Sequence, residues 1–287
     1  MDRSINWIPA SNCENFEVLK ELQNRMVSYY SSPDMRYYSD IDIVPDIWSK
    51  SENLPQRDII DLCKKSSKIL EVGCGSANIL SERVFSQSNY TGIDFSEQLI
   101  NINSNKYPYA HFEVIRNPNR FNFPDKTFDL VFSHFVLEHV IFPQQFLDEC
   151  LRILKQNGIL IILCPDFLGN NNITSQRVGY SEGSGSDKMM KGRFLDAFVT
   201  GFDTRVKLPL ICRQKRRIAK RQPQFYINTQ PICFTDAFRP DVDAVYVTYK
   251  EEIVKYVGSK IKWLHLGKEV ETFCKRDRLI YLKGKKC

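Results

Sequence analysis

Apolar and polar residues follow one another in the first half of the chain in a pattern that predicts strands alternating with helices. Short runs of apolar residues predict strands buried on both faces of a sheet. These runs lie at 69–72, 89–95, 111–117, the stretch that ends at Ser133-His134, and 159–164. Helical spacing over 144–154, closed by Asn157-Gly158, predicts the helix before the last strand. Such strand–helix units predict an α/β fold with a parallel sheet.

The two ends of the chain carry weaker patterns. Residues 1–60 show helical spacing at Phe16, Leu19, Leu22, Met26 and Val27, followed by an aromatic cluster of Tyr29, Tyr30, Tyr37, Tyr38 and Trp48. This cluster could line a ligand site, but ordinary core packing is the simpler interpretation. Residues 244–249, 260–266 and 277–283 predict further strands, and 250–256 predict a short helix.

A glycine-spaced turn, Gly73-Cys74-Gly75, follows the first predicted strand. Glycine permits positive φ and close approach of the backbone to a ligand, and the N-terminus of a following helix offers free N–H groups. The G-x-G-x-x-G fingerprint of dinucleotide-binding folds needs a glycine where this chain has Asn78, which disfavours NAD. A turn that binds no ligand is also compatible with these residues alone.

Asp94 ends the second predicted strand, about 20 residues after the glycine turn. Nucleotide-binding α/β folds place there an acidic residue that accepts hydrogen bonds from ribose hydroxyls. The combination of turn and acid therefore favours a nucleotide-like ligand with a ribose over the ligand-free interpretation.

These residues resemble the first motifs of class I S-adenosylmethionine (SAM)-dependent methyltransferases. The family motif acidic-x-G-x-G-x-G is similar to residues 71–77, where Ala77 replaces the third glycine. Residues 92–100, 123–131 and 151–162 resemble later stretches of the family's small-molecule, methyltransferase type 11-like branch. The resemblance implies SAM as cofactor and a Rossmann-like doubly wound sheet, mostly parallel with an antiparallel edge strand.

The resemblance also implies which residues contact the cofactor. These are Glu71, Gly73, Cys74, Gly75, Asp94, Phe95, Asn117, Pro118 and Ser133. The family usually has Asp-Ala at the adenine-contacting pair, whereas this chain has Asn117-Pro118. Asn117 can still present its amide to an adenine edge, but Pro118 has no N–H to donate.

Three polar side chains at or after strand ends are candidates for catalysis: His134, His139 and Asp166. The carboxyl ends of parallel strands open onto the ligand crevice. SAM carries an activated methyl group, so positioning supplies most of the catalysis. If the acceptor is an alcohol, a histidine whose pKa is near about 6.5 is a natural general base. His134 and His139 are equal candidates, and a structural role remains open for each.

Composition excludes several protein classes. The chain of 287 residues has no apolar run of about 18 residues and no signal or transit pattern, which predicts a cytoplasmic protein without a transmembrane segment. Its nine scattered cysteines contain no C-x-x-C pair, so neither a disulfide framework nor a zinc site is expected. We expect no bound metal.

Positive charge is concentrated in residues 165–240, which contain 13 Lys and Arg against six Asp and Glu, whereas the whole chain has a net charge of +6. The basic run 213–221 is compatible with a solvated helix face, an interfacial anchor for anionic lipid, or a patch for a phosphorylated or nucleic-acid partner. Because no RNA-binding module is recognisable, lipid or a phosphate-bearing substrate is favoured over nucleic acid. In the family this resembles, an insertion after the fifth strand commonly forms a substrate lid.

The sequence therefore predicts four parts. They are an N-terminal helical cap segment (1–60), a SAM-binding Rossmann-like core (61–164), a helical or irregular substrate lid (165–240) and C-terminal strands that complete the sheet (241–287). The predicted reaction is O-methylation of a hydroxyl on a small molecule or sugar, possibly phosphorylated or lipid-linked. The alternatives are a small-molecule N-methyltransferase, and a non-catalytic SAM-fold protein whose basic cap binds lipid or RNA.

Overall fold

A computed structural model describes residues 7–31, 54–82, 85–169, 185–231 and 243–287. The chain divides into two compact units. The first, here called the sheet unit, contains residues 23–137, 144–164 and 257–287. The second, the cap unit, contains residues 1–22, 138–143 and 165–256.

The described strands are β1 (Trp7–Pro9), β2 (Ile69–Val72), β3 (Tyr90–Asp94), β4 (His111–Val114), β5 (Phe128–His134), β6 (Leu154–Pro165), β7 (Tyr226–Asn228), β8 (Ile261–Trp263) and β9 (Leu279–Lys286). Seven of them form one sheet in the order β4-β3-β2-β5-β6-β9-β8. Strands β4, β3, β2, β5 and β6 pair in parallel, and β8 pairs antiparallel with β9 at the edge. The predicted Rossmann-like sheet with an antiparallel edge strand is confirmed.

The strand order places β2 at the point where the winding of the sheet reverses. From β2 the chain proceeds outward to β3 and β4, and then returns to β5 on the other side of β2. In open α/β sheets this switch point is where ligands bind, beyond the carboxyl ends of the strands. The glycine turn leaves β2 at that edge.

Burial explains why the strands read as continuous apolar runs. Residues 160–164 of β6 have no exposed surface, as a central strand covered on both faces requires. The core includes Ile69, Leu130, Phe132 and Ile161.

The described helices are Phe16–Tyr30, Leu54–Cys63, Glu97–Lys106, Pro143–Ile153, Gly185–Met190, Phe194–Phe202, Leu208–Arg221, Lys250–Val257 and Lys268–Asp277.

Local structure departs from the sequence-based prediction at several places in the sheet unit. After the glycine turn the chain forms a 3-10 helix, Asn78–Glu82, instead of the predicted α-helix. The third strand ends at Val114 instead of residue 117. The helix Lys268–Asp277, with Gly267 as its N-cap residue, was not predicted.

The predicted helix C-cap at Asn157-Gly158 is wrong, because both residues lie within β6. The helix ends at Ile153, where the N–H groups of Lys126 and Thr127 donate to the carbonyl oxygens of Arg152 (3.0 Å) and Ile153 (2.7 Å). A distant turn therefore satisfies the terminal carbonyls that a glycine cap would have served.

The cap unit contains a small sheet and several helices. Strand β1 pairs antiparallel with β7. The hydrophobic core of the cap unit includes Trp7, Phe167, Leu208, Tyr226 and Val247. In the described structure, residues 244–249, predicted as a strand, form no regular strand and pair with β7 at an isolated bridge between Ile227 and Tyr246. The N–H groups of Val245 and Tyr246 both donate to the Glu138 carbonyl oxygen, at 2.8 and 2.9 Å, so they cannot join a regular ladder.

Three further findings concern classes of site. The described cysteines are all free thiols, and no group of His, Cys, Asp and Glu among the described residues could hold a metal ion. Within the described part of the chain, no helix has both the length and the apolar character needed to cross a membrane. In the predicted aromatic cluster, Tyr29 and Tyr30 pack edge to face at 5.1 Å, whereas Tyr37, Tyr38 and Trp48 lie outside the described residues.

Candidate functional site

The glycine turn is fixed to the end of β3 by backbone hydrogen bonds. The N–H groups of Gly73 and Cys74 donate to the Ile93 carbonyl oxygen, at 2.8 and 3.0 Å. The N–H of Gly75 donates to Asp94 Oδ2 at 2.9 Å. Gly73 and Gly75 have φ of +73° and +50°, a region that disfavours residues with a Cβ. These hydrogen bonds and the two glycines with positive φ fix the backbone conformation of the turn.

The two glycines differ in what surrounds them. A Cβ at Gly73 would lie 2.4 Å from Cγ2 of Val136, so packing alone excludes a larger residue there. Apart from its two chain neighbours, none of the described residues would place an atom within 4 Å of a Cβ at Gly75. The missing side chain of Gly75 thus leaves open space beside the turn, which can admit a ligand close to the backbone.

Asp94 is buried and holds the turn in place. Its Oδ2 accepts from the Gly75 N–H, and its Oδ1 accepts from the Ser96 N–H at 3.0 Å. Burial raises the pKa of Asp94, and these N–H groups partly offset that rise. A carboxylate has about four acceptor positions, so capacity for a hydroxyl donor remains after these N–H groups are bound.

Glu71 lies beneath the turn, on β2. Tyr90 donates its hydroxyl hydrogen bond to Glu71 Oε2, and burial raises the pKa of Glu71 to about 8. The side chain is 4% exposed. Glu71 therefore stabilises β2 next to the turn. With this raised pKa, a large fraction of the molecules carries a protonated Glu71 at neutral pH.

Ser133 and Cys74 complete this edge of the sheet. Val72, the last residue of β2, is in register with Ile93 on one side and Ser133 on the other. Among the described residues, the buried Ser133 Oγ has no hydrogen-bond partner, which is the usual state of an atom that a ligand or water satisfies. Cys74 is buried, and burial raises the pKa of its thiol well above the ordinary value.

The remaining predicted cofactor residues have mixed surroundings. The Phe95 carbonyl oxygen accepts from Ser31 Oγ at 3.3 Å. Asn117 is exposed, and its Oδ1 accepts from the Asn119 N–H at 3.0 Å, so the side chain stabilises its own turn. Pro118 is partly buried beside it.

His134, the last residue of β5, is a neutral imidazole. Burial lowers its pKa to about 3. Its Nε2 lies 3.0 Å from the side-chain nitrogen of Gln56, which can only donate, so Nε2 accepts in this arrangement. A general base needs a pKa nearer neutrality, so burial of the ring supports His134 poorly in that role.

His139 lies in the cap unit, in the 3-10 turn Leu137–His139, with carboxylates near both ring nitrogens. Its Nδ1 is 3.6 Å from Asp243 Oδ2, and its Nε2 is 3.8 Å from Glu138 Oε1. The ring is 15% exposed, so a small molecule can reach it. Neighbouring carboxylates stabilise an imidazolium, which is the product of proton abstraction.

Asp166 also lies in the cap unit and stabilises a turn after β6. Its Oδ1 accepts from the Gly169 N–H at 2.9 Å, and Arg216 donates to the Gly169 carbonyl oxygen at 3.1 Å. Burial raises the pKa of Asp166 to about 6. Its position is compatible with a structural function as well as a catalytic one.

Three residues in this geometry were not predicted as site residues: Asn103, Gln56 and Asp243. Asn103 is 1% exposed and donates through Nδ2 to the Gly75 carbonyl oxygen at 2.7 Å. A polar residue on the apolar face of the helix Glu97–Lys106, beside Leu99 and Ile100, was the available signal. Gln56 and Asp243 gave no signal, because their histidine partners are remote in the sequence.

Comparison with known proteins places the glycine turn and Asp94 within a recognised domain. The model of a family described as methyltransferase domain matches residues 70–162. A demethylmenaquinone methyltransferase of Lysinibacillus sphaericus is 36% identical over 105 residues, which are 35% of this chain and 45% of that protein. One from Listeria welshimeri is 34% identical over 104 residues, 34% of this chain and 44% of that protein. The chain thus spans less than half the length of these curated relatives.

Solved structures resemble the chain at lower identity. A SAM-dependent methyltransferase from Aquifex aeolicus is 14% identical with a TM-score of 0.45, covering 87% of this chain and 98% of that one. A possible histamine N-methyltransferase from Thermotoga maritima is 12% identical with a TM-score of 0.49, covering 88% and 97%.

Proposed function

We propose that this protein, whose residues 70–162 form a class I SAM-dependent methyltransferase domain, transfers the methyl group of SAM to a small acceptor molecule. The observation that carries the proposal is the turn at the switch point of the sheet. There the Gly75 N–H is bound to Asp94, and open space lies where a Gly75 side chain would be. SAM is the cofactor of this domain.

The residues at the turn fit the polar groups of this cofactor. The acceptor capacity that Asp94 retains suits ribose hydroxyls, and Ser133 Oγ can pair with a further polar group. Gly75 permits the cofactor to approach the backbone. Gly73 forms part of the turn, Glu71 lies on the strand before it, and Asn103 is bound to its Gly75 carbonyl oxygen. When bound, SAM would supply a methyl group that its sulfonium activates for transfer to a nucleophile.

For the acceptor, we propose a hydroxyl on a small molecule or sugar. Support comes from His139, which has a carboxylate near each ring nitrogen. With the cofactor and a hydroxyl acceptor bound, His139 would accept the hydroxyl proton as the acceptor oxygen takes the methyl group in place of the cofactor sulfur. Asp243 orients the ring and stabilises the resulting imidazolium. We further propose that residues 165–240 form the substrate lid, because His139 lies in the same unit.

A second candidate is methylation of a quinone related to demethylmenaquinone. It is favoured by the names of the two curated relatives, which are 36% and 34% identical to this chain over the matched residues. That identity covers 35% of this chain, so it informs the cofactor domain more than the acceptor. N-methylation of a small amine is a third outcome that the same assay detects.

Cofactor binding is tested by calorimetric titration with SAM and S-adenosylhomocysteine. The variant Asp94→Asn should weaken binding at least about tenfold, since it removes a charged acceptor. Asp61→Ala is the matched control, because Asp61 is an exposed carboxylate on the helix Leu54–Cys63 and pairs with Lys64. Failure of the intact protein to bind either compound at millimolar concentration would overturn the proposal.

The acceptor is identified by measuring S-adenosylhomocysteine release with panels of alcohols, phenols, sugars, amines and a demethylated quinone. With an alcohol acceptor, His139→Gln should lower kcat about 10²–10⁴-fold and leave the affinity for S-adenosylhomocysteine unchanged. Asp243→Asn should lower kcat less. If His139→Gln turns over its acceptor at the wild-type rate, the general-base role is wrong, whereas cofactor binding still tests the methyltransferase assignment separately.

A further inference from the structure

The helix Phe194–Phe202 exposes its large side chains and buries its small ones. Ala197 and Thr200 are each 6% exposed, and Thr200 accepts from Lys188 at 2.8 Å. Six large apolar side chains of this helix and of the preceding helix Gly185–Met190 are exposed, and they are here called the apolar face: Met189, Met190, Phe194, Leu195, Phe198 and Phe202. Phe194, Leu195 and Phe198 are 67, 84 and 75% exposed. An ordinary surface helix shows the opposite arrangement.

The stretch of chain that carries the apolar face is rich in positive charge. Residues 185–221 contain eleven Lys and Arg and three Asp, and these three aspartates are partly or fully buried. The exposed cations of this stretch are Lys191, Arg193, Arg205, Arg213, Arg217, Lys220 and Arg221. In the helix Leu208–Arg221, Arg213 and Arg217 lie on the same face as the exposed Leu210.

We infer that this surface docks onto an anionic lipid bilayer. Monomeric proteins rarely expose a contiguous patch of aromatic and aliphatic side chains, so a solvated face explains the cations but not the apolar face. An interfacial helix inserts such side chains into the boundary between headgroups and acyl chains, and its Lys and Arg contact lipid phosphates. Lys and Arg stems pack along apolar surface while their charges stay in water. The inference does not depend on the proposed enzymatic activity.

Charge and shape favour lipid over other occupants. A nucleic acid would use the cations but would leave Met190 and Leu195 without a role, since bases stack on aromatic rings. A second copy would bring the same positive charge to the interface, and like charges repel. An anionic bilayer satisfies the apolar face and the cations together.

The experiment is vesicle co-sedimentation of the full chain. Vesicles of phosphatidylcholine alone are compared with an equal mixture of phosphatidylcholine and phosphatidylglycerol. We expect at least about tenfold stronger binding to the mixture, and a reduction at high salt because exposed charges are screened. No binding to either vesicle would overturn the inference.

Two variants separate the apolar and electrostatic contributions. Phe194→Ser with Phe198→Ser, and Arg213→Gln with Arg217→Gln, should each lower binding to the mixed vesicles at least about tenfold. Matched controls elsewhere are Tyr109→Ser, at a side chain 78% exposed, and Lys275→Gln with Lys285→Gln at exposed lysines. Equal loss in the controls, or wild-type binding by the phenylalanine variant, would contradict a specific docking face.

A positive readout guards against misfolded variants. Phe198→Trp keeps an aromatic ring, and its fluorescence should shift to shorter wavelength and be quenched by brominated lipid if the face inserts. An unshifted emission with bound vesicles would overturn insertion. A dimer in light scattering that the phenylalanine variant abolishes, without vesicle binding by the wild type, would assign the face to a second copy and overturn the lipid assignment.

Discussion

Replacing each of the two turn glycines by alanine should separate folding from cofactor binding. Gly73→Ala places a residue with a Cβ at φ +73°, which costs about 1–2 kcal/mol. The new Cβ would also lie 2.4 Å from Val136 Cγ2, and such overpacking costs about 1–3 kcal/mol. A less flexible unfolded chain offsets about 0.4–1 kcal/mol of this. The free energy of unfolding should therefore fall by about 1–5 kcal/mol.

Gly75→Ala should behave differently because its surroundings are open. Only the backbone cost at φ +50° applies, so the free energy of unfolding should fall by about 1 kcal/mol or less. The added methyl nevertheless occupies the space that we assign to the cofactor. Affinity for S-adenosylhomocysteine should fall at least about tenfold, a loss of about 1.4 kcal/mol.

Urea unfolding and calorimetric titration measure the two effects on the same samples. The control is Gly73→Ala in a Val136→Ala background, where removal of the Cγ atoms should recover about 1–2 kcal/mol of the destabilisation. The reasoning is refuted if Gly73→Ala is as stable as Gly75→Ala. It is also refuted if Gly75→Ala binds S-adenosylhomocysteine as tightly as the wild type.

Three further predictions concern buried ionisable groups. Burial raises the pKa of Glu71 to about 8, above its ordinary value near 4.5, so the free energy of unfolding should fall as the pH rises between these values. In Glu71→Gln, thermal unfolding should show a smaller decline over the same pH range. Arg152 pairs with buried Glu149 at 2.7 Å, so Arg152→Ala should cost about 3–5 kcal/mol in urea unfolding, and a loss below about 1 kcal/mol would contradict this. Glu252→Ala should cost about 2–3 kcal/mol, because the Tyr246 hydroxyl and two backbone N–H groups lose their acceptor, and unchanged stability would exclude that network.

The glycine turn and Asp94 could be predicted because their signal is local. A strand, a turn that needs positive φ and an acid at the end of the next strand are each encoded within a few residues, and the parallel sheet brings them together at one edge. The cofactor-binding assignments remain predictions, although the surroundings of Gly75 and Ser133 fit them.

Pairings between remote residues could not be predicted. His139 and Asp243 are separated by a hundred residues, and the sequence does not indicate that the Glu138 carbonyl holds the later segment beside the turn. The wrong cap at Asn157-Gly158 has the same cause, since a turn from before β5 satisfies the helix end.

The sequence by itself determined the alternation of strands and helices between residues 69 and 164, the switch-point turn and the concentration of positive charge. Only the tertiary structure decided which face of each amphipathic element is buried. Helical spacing defines two faces of Phe194–Phe202, but it does not say that Ala197 and Thr200 pack inward while Phe198 remains exposed. Periodicity is a local property of the chain, whereas burial depends on which distant surfaces pack against it.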